Sequence, residues 1–267
     1  MSRISSTFNQ LQAKGEQAFI SFLMAGDPNL DLTQELVLAA EEKGADIIEL
    51  GIPYATPLAD GPTIQKAGRR SLAHGTNLND IFSLIAKIRS KSEIPLVLMG
   101  YYNSIYNYGL EEFVTECEEV GVDGVIIPDL PLGEDEELRA YSESLDIILL
   151  MSSTSTEERM KSVAENSSGF IYAVSTPGTT GAREEVSKEV ETLVKKLKKL
   201  TTTPVAVGFG VSKPAHVLVI NKFADGVIVG SAIIEKIEDN LDLIKDEREE
   251  FVTKVTDFIY SLSNPKT

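Results

Sequence analysis

Glu49 ends the apolar run "ADIIELGIP" at residues 45–53, and Asp60 follows in the loop "YATPLADGP" at residues 54–62. A carboxylate at the end of a buried strand costs desolvation unless it is bonded, metal-bound or used to move protons. Glu49 therefore has three readings: a carboxylate bonded to backbone or a tyrosine, an acid/base group, or a metal ligand. Burial raises a carboxyl pKa toward neutrality, which suits proton exchange. Asp60 is either a loop cap bonded to backbone N–H groups or the second carboxylate of the same site.

The elements that must position this pair recur along the chain. Eight apolar runs, at 18–26, 45–53, 94–102, 122–130, 145–153, 169–175, 203–210 and 225–234, are continuous rather than alternating. That pattern predicts parallel strands covered on both faces. Amphipathic helical stretches separate the runs, and a last one covers about residues 241–259. The expected α/β fold is a single (β/α)8 TIM barrel spanning residues 1–267, with a doubly wound open sheet as the alternative. The stretch "STFNQLQAKG" at 6–15 predicts an additional short N-terminal helix that closes the barrel bottom.

Barrel sites lie at the C-terminal ends of the strands and in the loops that follow. Glu49 and Asp60 both fall there. Glycine-rich turns after strands six, seven and eight, "TTG" (179–181), "VGFGVS" (207–212) and "VGSA" (229–232), suit a phosphate held by backbone N–H groups. This candidate site involves Thr180, Gly181, Gly210, Gly230 and Ser231; the alternative is close strand-to-helix turns without ligand. Phe22, Leu98, Ile127, Phe209 and Ile228 are candidates to surround a planar apolar group, with Tyr102 and Tyr172 adding hydroxyls; each is also an ordinary core position. Asp27 and Asp129 read as loop caps, His74 as a helix end, and Cys117 as packing.

Composition narrows the chemistry further. Forty-one acidic against 25 basic residues give a formal charge of −16, which disfavours nucleic acid and anionic membrane as partners. One cysteine and two histidines leave a cysteine- or histidine-rich metal centre without ligands, so no such centre is expected. No run reaches the length of a spanning helix, and the expected location is the cytoplasm, or a plastid stroma for an organellar protein.

The ordered series "FLMAGDP", "ADIIELGIPY", "PLADGPTIQ", "MGYYN", "GVDGVIIPDLP", "TTGAR", "PVAVGFGVS" and "ADGVIVGSA" resembles the successive motifs of the tryptophan synthase alpha chain family, through nearly all 267 residues. The resemblance implies retro-aldol cleavage of indole-3-glycerol phosphate to indole and glyceraldehyde 3-phosphate without metal or organic cofactor. It implies Glu49 as the acid/base group and Asp60 as acceptor from the indole N–H. It also implies a tryptophan synthase beta chain as partner in an alpha2-beta2 assembly. A standalone lyase and a catalytically weak regulatory alpha-like chain are the alternatives. The chain departs from the family pattern at Ala55 and Thr56, where a Ser-Asp pair is usual, at Gly133 in place of Glu, and at Thr176, Pro177 and Thr179 in the strand-six loop. These departures bear on loop closure and on communication with a partner.

Overall fold

The computed structural model describes residues 2–142, 144–174, 188–208 and 210–265. Among them are nine parallel strands: β1 (Ala18–Met24), β2 (Ile47–Gly51), β3 (Leu96–Met99), β4 (Gly124–Ile126), β5 (Asp146–Ile147), β6 (Leu150–Ser152), β7 (Ile171–Val174), β8 (Val205–Gly208) and β9 (Gly226–Val229). Their order is β5-β4-β3-β2-β1-β9-β8-β7-β6, so the sheet curls back through β1 pairing with both β2 and β9. The result is the expected (β/α)8 barrel rather than an open doubly wound sheet.

The strand count differs by one because the fifth apolar run is split. Ile148 donates its N–H to Val125 on β4, whereas Leu149 accepts from the Tyr172 N–H on β7. One segment thus serves both neighbours, and the ladder changes sides within it.

Side chains alternate across each strand, so every second residue faces the barrel interior. The inner core is formed by Ile20, Ile47, Val97, Ile126, Ile148 and Phe170, with Ala206 and Ile228 completing the ring. The opposite faces pack against the surrounding helices in a larger cluster that includes Leu36, Ile81, Phe113 and Phe251.

The bottom is closed by the helix Arg3–Lys14, capped by the Ser2 side chain on the Ser5 N–H and ended by Gly15 at φ 76°. Ile4, Phe8 and Leu11 of this helix join the inner core, and the Phe8 ring lies 5.9 Å from Phe170. Truncating this plug leaves a void in a packed core. Phe8→Ala is expected to cost about 3 kcal/mol, measured as a lower urea midpoint with an unchanged m-value.

Candidate active site

Glu49 lies on β2 with its partners in register: Phe22 of β1 on one side and Val97 of β3 on the other. All three face the interior, Val97 within the core and Glu49 and Phe22 toward the mouth above it. Glu49 is 1% exposed, and its Oε2 has no hydrogen-bond partner among the described residues. Burial, with the Asp60 charge as a lesser cause, raises its pKa to about 8. Glu49 is therefore mostly protonated at neutral pH and able both to give and to regain a proton.

Asp60 sits just before the helix Pro62–Ala73, whose cap is Gly61 with Pro62 in the first turn. Gln65 Nε2 donates to the Asp60 carbonyl at 2.9 Å. The Tyr101 hydroxyl accepts from the Ala59 N–H at 3.0 Å and bonds the Asp60 carboxylate. Burial raises the Asp60 pKa and the tyrosine bond opposes that rise. Tyr101 is itself held by stacking on Tyr54, with ring centroids 5.2 Å apart.

The two carboxylates line a cavity of about 890 Å³, counting its open mouth. Phe22, Ile64, Met99, Leu150, Val174 and Ile228 form apolar walls, and Tyr172 stands beside the acids. Burial and the nearby Glu49 and Asp60 push the Tyr172 hydroxyl pKa well up, so it stays a proton donor. Tyr172 has room because position 208 is glycine: a Cβ there would overlap the Tyr172 hydroxyl and approach its Cζ to 2.5 Å.

At the other end lie Gly210, Ser212, Gly230 and Ser231. The helix Ser231–Glu238 begins at this edge, and first-turn N–H groups with a glycine approach suit an anion. The Ser212 hydroxyl is buried with no partner among the described residues, whereas its N–H donates to His216 Nδ1 at 3.3 Å. Such a cavity holds a planar apolar group between proton-exchanging carboxylates, with an anionic group at the glycine end.

Of the residues expected from sequence, Phe22, Glu49, Asp60, Tyr172, Gly210, Ile228, Gly230 and Ser231 meet at this cavity. Thr180, Gly181 and Phe209, with Thr176, Pro177 and Thr179, lie outside the described residues. Two expectations are corrected by strand parity. Glu49 pairs with Val97, so the inward residues of β3 are Val97 and Met99, and Leu98 faces the helices with Leu50 and Val125. Met99 pairs with Ile126, which faces inward, so Ile127 turns outward to a separate small cavity with Leu130 and Leu138.

Tyr102 is likewise displaced by its neighbour. It begins the helix Tyr102–Tyr108, gives its N–H to the Asp129 carboxylate at 2.8 Å and packs on Tyr106, leaving Tyr101 at Asp60. Ile64, Met99, Leu150, Ser212 and Tyr101 were not anticipated; a parity count from Glu49 across β3 would have found Met99.

Asp27 is an ion-pair partner rather than a loop cap, taking two bonds from Arg70 at 2.7 and 2.9 Å. His74 ends the helix Pro62–Ala73, and Cys117 is buried, as expected. Ala55 and Thr56 are exposed on the loop before Asp60. Gly133 adopts φ 97°, a conformation glycine tolerates, with its N–H on Asp135. No group of three or more His, Cys, Asp or Glu among the described residues could hold a metal ion, and no described helix is long and apolar enough to cross a membrane.

A family model described as Tryptophan synthase alpha chain matches residues 8–262. The chain belongs to the tryptophan synthase alpha chain family. It is 44% identical to the tryptophan synthase alpha chain of Caldanaerobacter subterraneus subsp. tengcongensis over 263 residues, 98% of each chain. It is 48% identical to that of Geotalea uraniireducens over 241 residues, 90% of each. Among solved structures, Mycobacterium tuberculosis tryptophan synthase superposes with a TM-score of 0.88 at 34% identity, covering 98% of this chain and 97% of that one. The alpha2-beta2 complex of Pyrococcus furiosus gives 0.83 at 38% identity, covering 92% and 97%. In this family setting the bond between Tyr101 and Asp60 has a measurable consequence. Because that bond lowers the Asp60 pKa, Tyr101→Phe is expected to move the Asp60 midpoint upward in a carboxyl NMR titration, with little change in Tm.

Proposed function

We propose that Glu49 and Asp60 perform retro-aldol cleavage of indole-3-glycerol phosphate, giving indole and glyceraldehyde 3-phosphate. The observation that carries this reading is a buried Glu49, pKa about 8, facing Asp60 across an apolar cavity with a glycine–serine end. The chain is a carbon–carbon lyase that supplies indole to a tryptophan synthase beta chain.

The proton inventory balances within the site. Protonated Glu49 gives its proton to indole C3, and Asp60 accepts from the ring N–H as that nitrogen becomes positive. The carbon–carbon bond then breaks as the neighbouring hydroxyl loses its proton to the Glu49 carboxylate. The electron pair of the broken bond returns to the ring, and the aldehyde leaves. No external oxidant or reductant enters.

The amides near Gly210, Gly230 and Ser231 hold the phosphate away from the reacting carbon and orient the substrate for the cleavage. Phe22, Ile64, Met99 and Leu150 surround the indole, and Tyr172 flanks the acids. The whole chain acts as one catalytic domain. The cytoplasm is the proposed compartment, a reading supported by the single, reduced Cys117. The exposed loop at Ala55, Thr56 and Leu58, the last 87% exposed, is the face offered to the beta chain.

Release of indole, measured with and without a beta chain, tests the assignment. Glu49→Gln is expected to lower kcat by about 100-fold or more with substrate binding largely kept; wild-type turnover in that variant would reject the acid/base role. A second test uses pH. Glu49 must begin protonated, so kcat/KM is expected to fall as pH rises through about 8. The Asp60 charge helps to raise the Glu49 pKa, and removing it lets Glu49 ionise earlier. Asp60→Asn is therefore expected to shift the alkaline limb to lower pH as well as to slow turnover.

A further inference from the structure

Two helices start at the cavity and run away from it side by side. Pro62–Ala73 follows directly on Asp60 and Gly61, and Ser231–Glu238 starts at the glycine–serine end. From the cavity edge, which Glu235 helps to line, and onward along their length they are tied by polar side chains. Thr63 Oγ1 donates to Glu235 Oε1 at 3.2 Å, and Lys66 Nζ pairs with Glu238 Oε1 at 2.9 Å. Glu238 Oε2 also lies 3.7 Å from Arg70 Nη1.

Thr63, Lys66 and Arg70 share one helix face, as do Glu235 and Glu238 on theirs. Arg70 continues the chain of contacts to Asp27, whose side chain is fully buried beyond β1. On the same helix, the Ser71 hydroxyl donates to the Ala25 carbonyl at 2.6 Å. The helix that follows Asp60 is thus anchored to the β1 loop at its far end, and Glu238 is the group that joins this anchor to the second helix.

Stability does not explain the Glu238 contacts well. The Lys66 side chain is 57% exposed, and solvent screening leaves such pairs contributing little to folding. Their location explains more. The phosphate of the substrate is held at Ser231, its indole N–H at Asp60, and the relative placement of the two helices fixes how far apart those anchors stand.

We propose that Glu238 is a positioning residue: by bridging Lys66 and Arg70 it sets the spacing between Asp60 and the phosphate end of the site. This rests on the reading of the cavity given above. Glu238 touches no substrate; it acts through the helix that begins just after Asp60. Its contribution is felt only when the substrate is held at both ends, because an unanchored substrate can follow Asp60.

The test compares Glu238→Gln and Lys66→Met, singly and together, on indole-3-glycerol phosphate and on indoleglycerol lacking the phosphate. Each single variant is expected to lower kcat for the phosphorylated substrate by about ten-fold, a loss in keeping with sub-ångström misplacement. KM stays within about three-fold, the double variant is no worse than either single one, and the phosphate-free substrate shows no comparable loss. Circular dichroism melting checks that Tm is nearly unchanged. Wild-type kcat in Glu238→Gln, or equal losses on both substrates, would overturn the positioning role while leaving the site assignment intact. Full activity of Glu49→Gln in the same assay would instead overturn the site reading itself.

Discussion

Taking the Glu49 carboxyl out of water is the constraint around which the upper barrel is organised. A carboxylate 1% exposed, with one oxygen unpartnered among the described residues, is unfavourable as an ion, and the protein accommodates it by keeping the proton on. The nearby Asp60 reinforces that outcome, since two adjacent negative charges repel. Burial raises the Asp60 pKa as well, but Asp60 is more accessible and its bond with Tyr101 opposes that rise. Two carboxyl groups of similar intrinsic strength are thereby separated into a proton donor and a charge acceptor by their surroundings.

The remainder of the fold serves that separation. Below Glu49, Val97, Ile126, Ile148 and Phe170 fill the barrel and the N-terminal helix seals it, so water reaches the acids from the mouth side. Above, glycine at position 208 leaves space for Tyr172, and the loop holding Asp60 is fixed by Tyr101 and Gln65. Core packing and site geometry are continuous here: the same alternation that buries Ile47 turns Glu49 inward two residues later.

The sequence already carried the barrel, the closing helix and the two acids. Continuous apolar runs separated by amphipathic stretches specify parallel strands and covering helices, and a charge at the end of such a run stands out. Parity did not show. In "IPLVLMGYY" every residue is compatible with burial on either face, so Leu98 and Met99, or Tyr101 and Tyr102, are distinguished only by hydrogen-bond register with β2. The Asp27–Arg70 pair was hidden for another reason: its members are 43 residues apart and meet only once two elements have packed.

The split fifth run has a mechanical meaning. The interruption between β5 and β6 is at the ends of the strand order, while β1 occupies its centre. Phe22, Glu49 and Ile228 come from β1 and its two immediate neighbours, β2 and β9. The part of the wall with the shortest ladder is therefore the part most distant, along the sheet, from the acids. The acid that carries the proton thus stands on a strand paired along both edges, on the side of the barrel away from that seam.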